Sequence, residues 1–149
     1  MKLGVVIVFN NYQETKFTDR FIREIGRFTQ VDYCLVINNN KLDFPESLSD
    51  ITEQCSNTSV IKINGVKSQN SAVRAGARYL SSHSNLSQIG FIVNVKGDRL
   101  LEMIQQLLKH QNKVFKSVSM QQDNKKNKQT LFQRLFSIPE CLNDLGIEV

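Results

Sequence analysis

The sequence predicts an α/β fold, a three-layer sandwich with helices on both faces of a mostly parallel central sheet. Three stretches, "LGVVIVFN" (3–10), "YCLVINNN" (33–40) and "IGFIVNV" (89–95), are nearly continuous apolar runs rich in β-branched residues, as expected of strands buried on both faces. Each is followed by a segment whose apolar residues recur at helical spacing. Four strand-then-helix units in succession fit a parallel sheet joined by right-handed crossovers.

The elements follow in order. Behind the central strand 3–10, Phe17, Phe21, Ile25 and Phe28 mark a helix that Thr18 can cap. Behind the second strand, "LDFPESLSDITEQC" places a proline near a helix start and an apolar stripe of Leu48, Ile51 and Cys55. "SVIKIN" (59–64) is short and half polar, which suits a strand near the sheet edge. "SQNSAVRAGARYLSSH" reads as a helix with Ala72, Val73, Gly76 and Leu80 inward and Arg74 and Arg78 on another face. Gly76 costs about 1 kcal/mol of helix propensity relative to alanine, a loss expected where a helix must lie close to the sheet. After strand 89–95, Asp98 can cap "RLLEMIQQLLKH", whose Leu100, Ile104, Leu107 and Leu108 form an apolar face. "KVFKSVSM" (113–120) is expected as a fifth strand, "QQDNKKNKQT" as a mobile loop, and the region from Leu131 to Phe136 as a short helix.

With 149 residues, 40% of them hydrophobic and 22% charged, and only two prolines, the chain has the material for one folded core and not for an extended disordered linker. The net charge of +5 suits phosphates as well as an ordinary surface. From Lys113 to Arg134 six basic residues face only Asp123, but no aromatic residues are interleaved as in strand-binding proteins, so nucleic acid is not an expected partner. Cys34, Cys55 and Cys141 lack paired spacing and read as reduced structural thiols. His83 and His110 fall at helix ends away from other ligand types, so no metal site is expected. The opening apolar run is too short for a secretory signal or a bilayer span, which places the chain in the cytoplasm without membrane insertion.

In open parallel sheets ligands gather beyond the carboxyl ends of the strands. Those ends carry Asn10, Asn11, Asn38, Asn39, Asn40, Asn64, Asn94 and Lys96: amide donors and acceptors and one cation, but few bases or nucleophiles. Asparagines also stabilise turns at such positions, so a polar cleft and a purely structural role both remain open. No glycine-rich dinucleotide fingerprint, phosphate-binding P-loop or GxSxG elbow occurs, which disfavours nicotinamide enzymes, P-loop ATPases and serine hydrolases.

The order of features resembles the nucleotide-binding half of an inverting, family 2 type glycosyltransferase with the GT-A fold, a Rossmann-like, nucleotide-diphospho-sugar transferase-like architecture here in truncated form. "VVIVFNNYQE" is similar to the family's first strand and uracil-holding loop, which implies a base-binding role for Phe9 and Asn10. "LVINNNKLD" is similar to the second strand, with Asn38 at the first acidic position and Asp43 at the later one. "VKSQNSAVRAGARYL" resembles the signature of the helix beside the nucleotide. There Ala72 and Gly76 match, while Arg74, Ser68 and Val66 replace an asparagine, a glycine and a second asparagine. "FIVNVKGDRL" falls on the metal-binding DxD motif, with Asn94 and Lys96 in place of its aspartates. That pair cannot hold a divalent cation as carboxylates do, although a lysine can meet a phosphate directly.

The resemblance implies a UDP-sugar as ligand, bound by Phe9, Asn10, Asn38, Asp43, Arg74, Asn94 and Lys96, with divalent metal doubtful and the catalytic residues unknown. Residues 1–122 would form the nucleotide-binding-like domain, and 123–149 a basic loop and short helical tail packed on it. The family's acceptor half, which carries the carboxylate base, has little room in residues 97–149. The expected function is therefore a glycosyltransferase-like domain that binds a nucleotide or nucleotide-sugar with reduced or no transferase activity alone. Two alternatives stand beside it: a non-catalytic structural or regulatory interaction protein on the same scaffold, and an active inverting enzyme completed by a partner chain. Expected partners are a nucleotide-sugar and a protein, the latter a separate chain or a second copy.

Overall fold

The structure, a computed structural model, describes residues 2–10, 19–27, 29–38, 51–65, 67–95, 97–123 and 135–149. Its elements are β1 (Leu3–Phe9), α1 (Asp19–Arg27), β2 (Val31–Asn38), β3 (Thr58–Ile63), α2 (Gln69–His83), β4 (Gln88–Val93), α3 (Gly97–Lys109), α4 (Gln111–Asp123), β5 (Leu135–Ser137) and α5 (Ile138–Asp144), with a further helical turn at 51–54. The five strands form one sheet in the order β3-β2-β1-β4-β5, with all four pairings parallel. This is a Rossmann-like three-layer α/β sandwich.

The apolar runs become the central strands because both of their faces are covered. All seven residues of β1 are buried, and their side chains alternate between two cores. Val5, Ile7 and Phe9, with Tyr33, Leu35 and Ile37 of β2, face α1, the 51–54 turn, α3, α4 and α5. Val6 and Val8, with Cys34 and Val36, face α2. The half-polar third strand lies at the sheet edge as its composition predicts, with only Thr58 fully buried.

Helix α2 lies close to the sheet. A Cβ on Gly76 would stand 2.6 Å from a methyl of Val6 and 2.9 Å from a methyl of Val36, so this glycine sets the spacing between layers. Ala72, Val73, Ala77 and Leu80 point inward beside it. Arg74 and Arg78 are exposed on the opposite side.

Several expectations are corrected. Residues 113–120 lie inside α4 and do not form a strand; Val114 and Val118, one turn apart, both reach the core, whereas Lys113 and Lys116 are exposed. Gln88 fixes that helix by donating to the Phe115 carbonyl (3.1 Å) and the Ser119 hydroxyl (3.1 Å). The fifth strand is instead Leu135–Ser137, where the end of a helix was expected. It leads into α5 through Ser137, whose hydroxyl accepts from the Glu140 amide, with Pro139 in the first turn. Helix α3 begins at Gly97, so Asp98 lies in its first turn, where the carboxylate meets the positive end of the helix dipole, and does not cap it.

The crossovers do not all share one hand. The β1-to-β2 and β4-to-β5 connections step across the sheet in opposite directions, yet their helices α1, α3 and α4 pack on the same face. The connection through α2 steps the same way as β4-to-β5 but uses the other face. The β4-to-β5 crossover is therefore opposite in hand to the other three, contrary to the uniform right-handedness expected.

Thr18, Phe17, Phe28, Leu48, and the expected loop and helix residues from 124 to 134 lie outside the described residues. No described helix is long and apolar enough to cross a membrane.

Candidate functional site

Because every strand runs the same way, their carboxyl ends meet along one rim of the sheet. Asn38 ends β2, Asn10 follows β1 and Asn94 follows β4, so the three occupy neighbouring strands. The chain leaves β1 toward β2 on one side, and β4 joins β1 on the other, so the strand order reverses between β1 and β4, the position at which open parallel sheets commonly hold ligands.

A chain of amides spans it. Asn38, only 3% exposed, donates through Nδ2 to Oδ1 of Asn10 (3.1 Å) and to the Lys67 carbonyl (2.8 Å), and its Oδ1 accepts from the Lys67 amide (3.2 Å). Asn10 in turn donates through Nδ2 to Oδ1 of Asn94, linking the ends of β1 and β4. Exposure rises along the row, from buried Asn38 through half-buried Asn10 to exposed Asn94. Asn94 has φ 62°, a left-handed conformation that asparagine tolerates better than most residues.

The pair of hydrogen bonds between the Asn38 side chain and the Lys67 backbone fixes where α2 begins. Ser68 caps that helix by accepting from the Ser71 amide (3.1 Å), and no acid lies in the first turn. The positive end of the α2 dipole is thereby held beside the end of β2. Lys67 had not been singled out in the sequence; its only signal there is its position after the Asn64–Gly65 turn, where Gly65 has φ 79°.

The structure brings Asn10, Asn38 and Asn94 together. Phe9 is 2% exposed and belongs to the larger core, at the last position of β1. Arg74 is exposed on the outward side of α2. Asp43 and Lys96 lie outside the described residues.

Comparison with protein-family models, with characterised proteins and with solved structures finds no match. The chain's chemistry is thus read from its own geometry.

That geometry supplies amide donors and acceptors at the rim where the strand order reverses, and among the described residues no group of three or more His, Cys, Asp or Glu is placed to hold a metal ion. The cysteines are free and buried. Burial pushes the Cys34 thiol up to about 12, and raises Cys55, against the opposing effect of a Thr58 hydrogen bond, and Cys141, to which nearby Asp144 adds. All three are thiols near neutral pH, neither nucleophiles nor metal-binding thiolates. His83 lies at the end of α2, stacked on Tyr79 with ring centroids 4.1 Å apart and bonded to the Tyr79 carbonyl (2.8 Å).

Proposed function

We propose that this Rossmann-like domain binds a nucleotide or nucleotide-sugar in the crevice between β1 and β4, with little or no transferase chemistry of its own. The observation that carries the reading is the amide chain Asn38–Asn10–Asn94, laid across the point where the strand order reverses. Such a row can read the polar edge of a base or ribose through the unused amide hydrogens and lone pairs of Asn10 and Asn94. The adjoining start of α2 favours an anionic group. The family 2 glycosyltransferase resemblance supplies UDP-sugar as the first ligand to try, with Asp43 and Lys96 as further candidates for contact. Because Asn94 stands where that family has its first metal-binding aspartate, binding is expected to depend weakly on a divalent cation.

Calorimetric titration with UDP, GDP and CDP, each with and without manganese, tests this. The expected result is binding of at least one nucleotide, changed less than threefold by manganese and weakened at least tenfold by Asn10→Ala. Absence of binding by all three in both conditions overturns the proposal. In that case a non-catalytic interaction scaffold is the better reading, favoured by the way Asn38 spends both ends of its amide on the protein itself.

A further inference from the structure

The asparagine row at the strand ends has a direction, and the direction is set from its buried end. Asn38 meets the Lys67 backbone with both atoms of its side-chain amide: Nδ2 donates to the carbonyl (2.8 Å) and Oδ1 accepts from the N–H (3.2 Å). A backbone carbonyl only accepts and a backbone N–H only donates, so these partners leave the Asn38 amide a single orientation. Its second amide hydrogen faces Asn10, which can answer only with its oxygen (3.1 Å). That turns the Asn10 nitrogen toward Asn94, whose Oδ1 accepts from it.

The exposed end of the row is therefore a donor. Asn94 spends its oxygen on Asn10 and keeps both amide hydrogens, which meet no acceptor among the described residues. One hydrogen of Asn10 is likewise unused. Asn94 holds its place on a left-handed backbone, φ 62°, that glycine would adopt at lower cost, so what it adds over glycine there is the side-chain amide. A ligand N–H set against this end would place donor against donor, whereas an oxygen that accepts is matched.

We propose that the Lys67 backbone polarises this row, with Asn38 as the positioning residue, so that Asn94 selects an acceptor oxygen of the bound nucleotide: a base carbonyl or a phosphate oxygen. The proposal rests on the nucleotide reading of the same site and adds the chemistry that its exposed end takes. Amino groups, such as the exocyclic amines of cytosine and adenine, are turned away from Asn94.

Side-chain amide hydrogen exchange, followed by NMR on the full chain, tests the polarity without a ligand. In the unmodified protein the Asn38 hydrogens are expected to exchange at least tenfold more slowly than either hydrogen of Asn94. In Asn10→Asp the carboxylate has no hydrogen to give, so Asn94 must turn its nitrogen inward, and its exchange is expected to slow at least tenfold. Slow exchange at Asn94 in the unmodified protein overturns the proposal, and so does unchanged exchange in the variant once circular dichroism shows it folded. Should the variant not fold, the unmodified protein alone decides.

Titration with UDP, GDP, CDP, uridine and pyrophosphate then identifies the oxygen. Slowing of Asn94 exchange by a nucleotide and by uridine, but not by pyrophosphate, assigns a base carbonyl; slowing by pyrophosphate assigns a phosphate. A nucleotide that binds without slowing Asn94 exchange overturns the donor role and leaves the nucleotide reading standing. Absence of binding by every nucleotide overturns both.

Discussion

On one face of the sheet, Ile25, Ile51, Leu107 and Ile138 reach in from several helices to meet Tyr33, Leu35 and Ile37, and the space between layers is filled by large side chains. On the other face, among the described residues, a single helix, α2, does the covering, and it comes in on Ala72, Gly76 and Ala77. Both arrangements exclude water from the same strands. They differ in what damages them: the first is sensitive to removed volume, the second to added volume.

The largest effect should separate the two faces directly. Ile104→Ala empties a site on the many-helix face and should lower unfolding free energy by about 3 kcal/mol. Gly76→Ala should also destabilise, by roughly 1–2 kcal/mol, despite the better helix propensity of alanine, because the new methyl meets Val6 and Val36. Urea denaturation measures both; a stabilised Gly76→Ala would show that α2 need not lie so close.

Next is the rim where the two faces meet. Asn38→Ala removes three hydrogen bonds and leaves the Lys67 amide and carbonyl without their partner, at a cost of about 2 kcal/mol. Faster hydrogen exchange at Lys67 and at the start of α2 should accompany it. Unchanged exchange there would mean that the amide row does not hold the helix.

The smallest effect compares Tyr33 and Cys34, adjacent in β2 but pointing to opposite faces. Both are fully buried, and burial raises both pKa values; for Tyr33, Cys55 adds to the rise. A raised folded pKa contributes stability that is complete below the unfolded value and is lost as pH rises. Above pH 9, Cys34 should therefore lower stability by about 1.4 kcal/mol per pH unit until its folded value of about 12 is approached. Cys34→Ala should reduce that slope in denaturation curves taken between pH 8 and 10, leaving the part contributed by the raised Cys55 and Cys141 thiols. Tyr33→Phe should leave most of the slope in place yet raise stability at neutral pH by about 1 kcal/mol, because the Tyr33 hydroxyl is buried without a hydrogen-bond partner among the described residues. A slope removed by Tyr33→Phe alone would assign the alkaline sensitivity to the wrong face.

Much of this architecture was legible in the sequence because burial on both faces leaves a continuous apolar run, as in β1 and β2, and because Gly76 inside an otherwise good helix marks a close approach. The short stretch around Val114 was not legible: Val, Phe, Ser and Met at such spacing suit a strand as well as a helix, and the decision falls to Val114 and Val118 reaching the core together. Three residues of β5 are too few to display any period. At the rim, the asparagines were visible one by one, but their mutual bonding depends on strand order, which no local pattern records. The tie from Asn38 to Lys67 escaped for the same reason, since a backbone partner leaves no mark in residue identity.

All four strand pairings are parallel, and this has a consequence for how the molecule comes apart. No two neighbouring strands can be joined by a tight hairpin, so each ladder exists only while the chain between its strands is docked. Loss of one layer removes the closure that keeps a ladder in register, and sheet and helices should melt in one cooperative step, with coincident far-ultraviolet and tyrosine transitions.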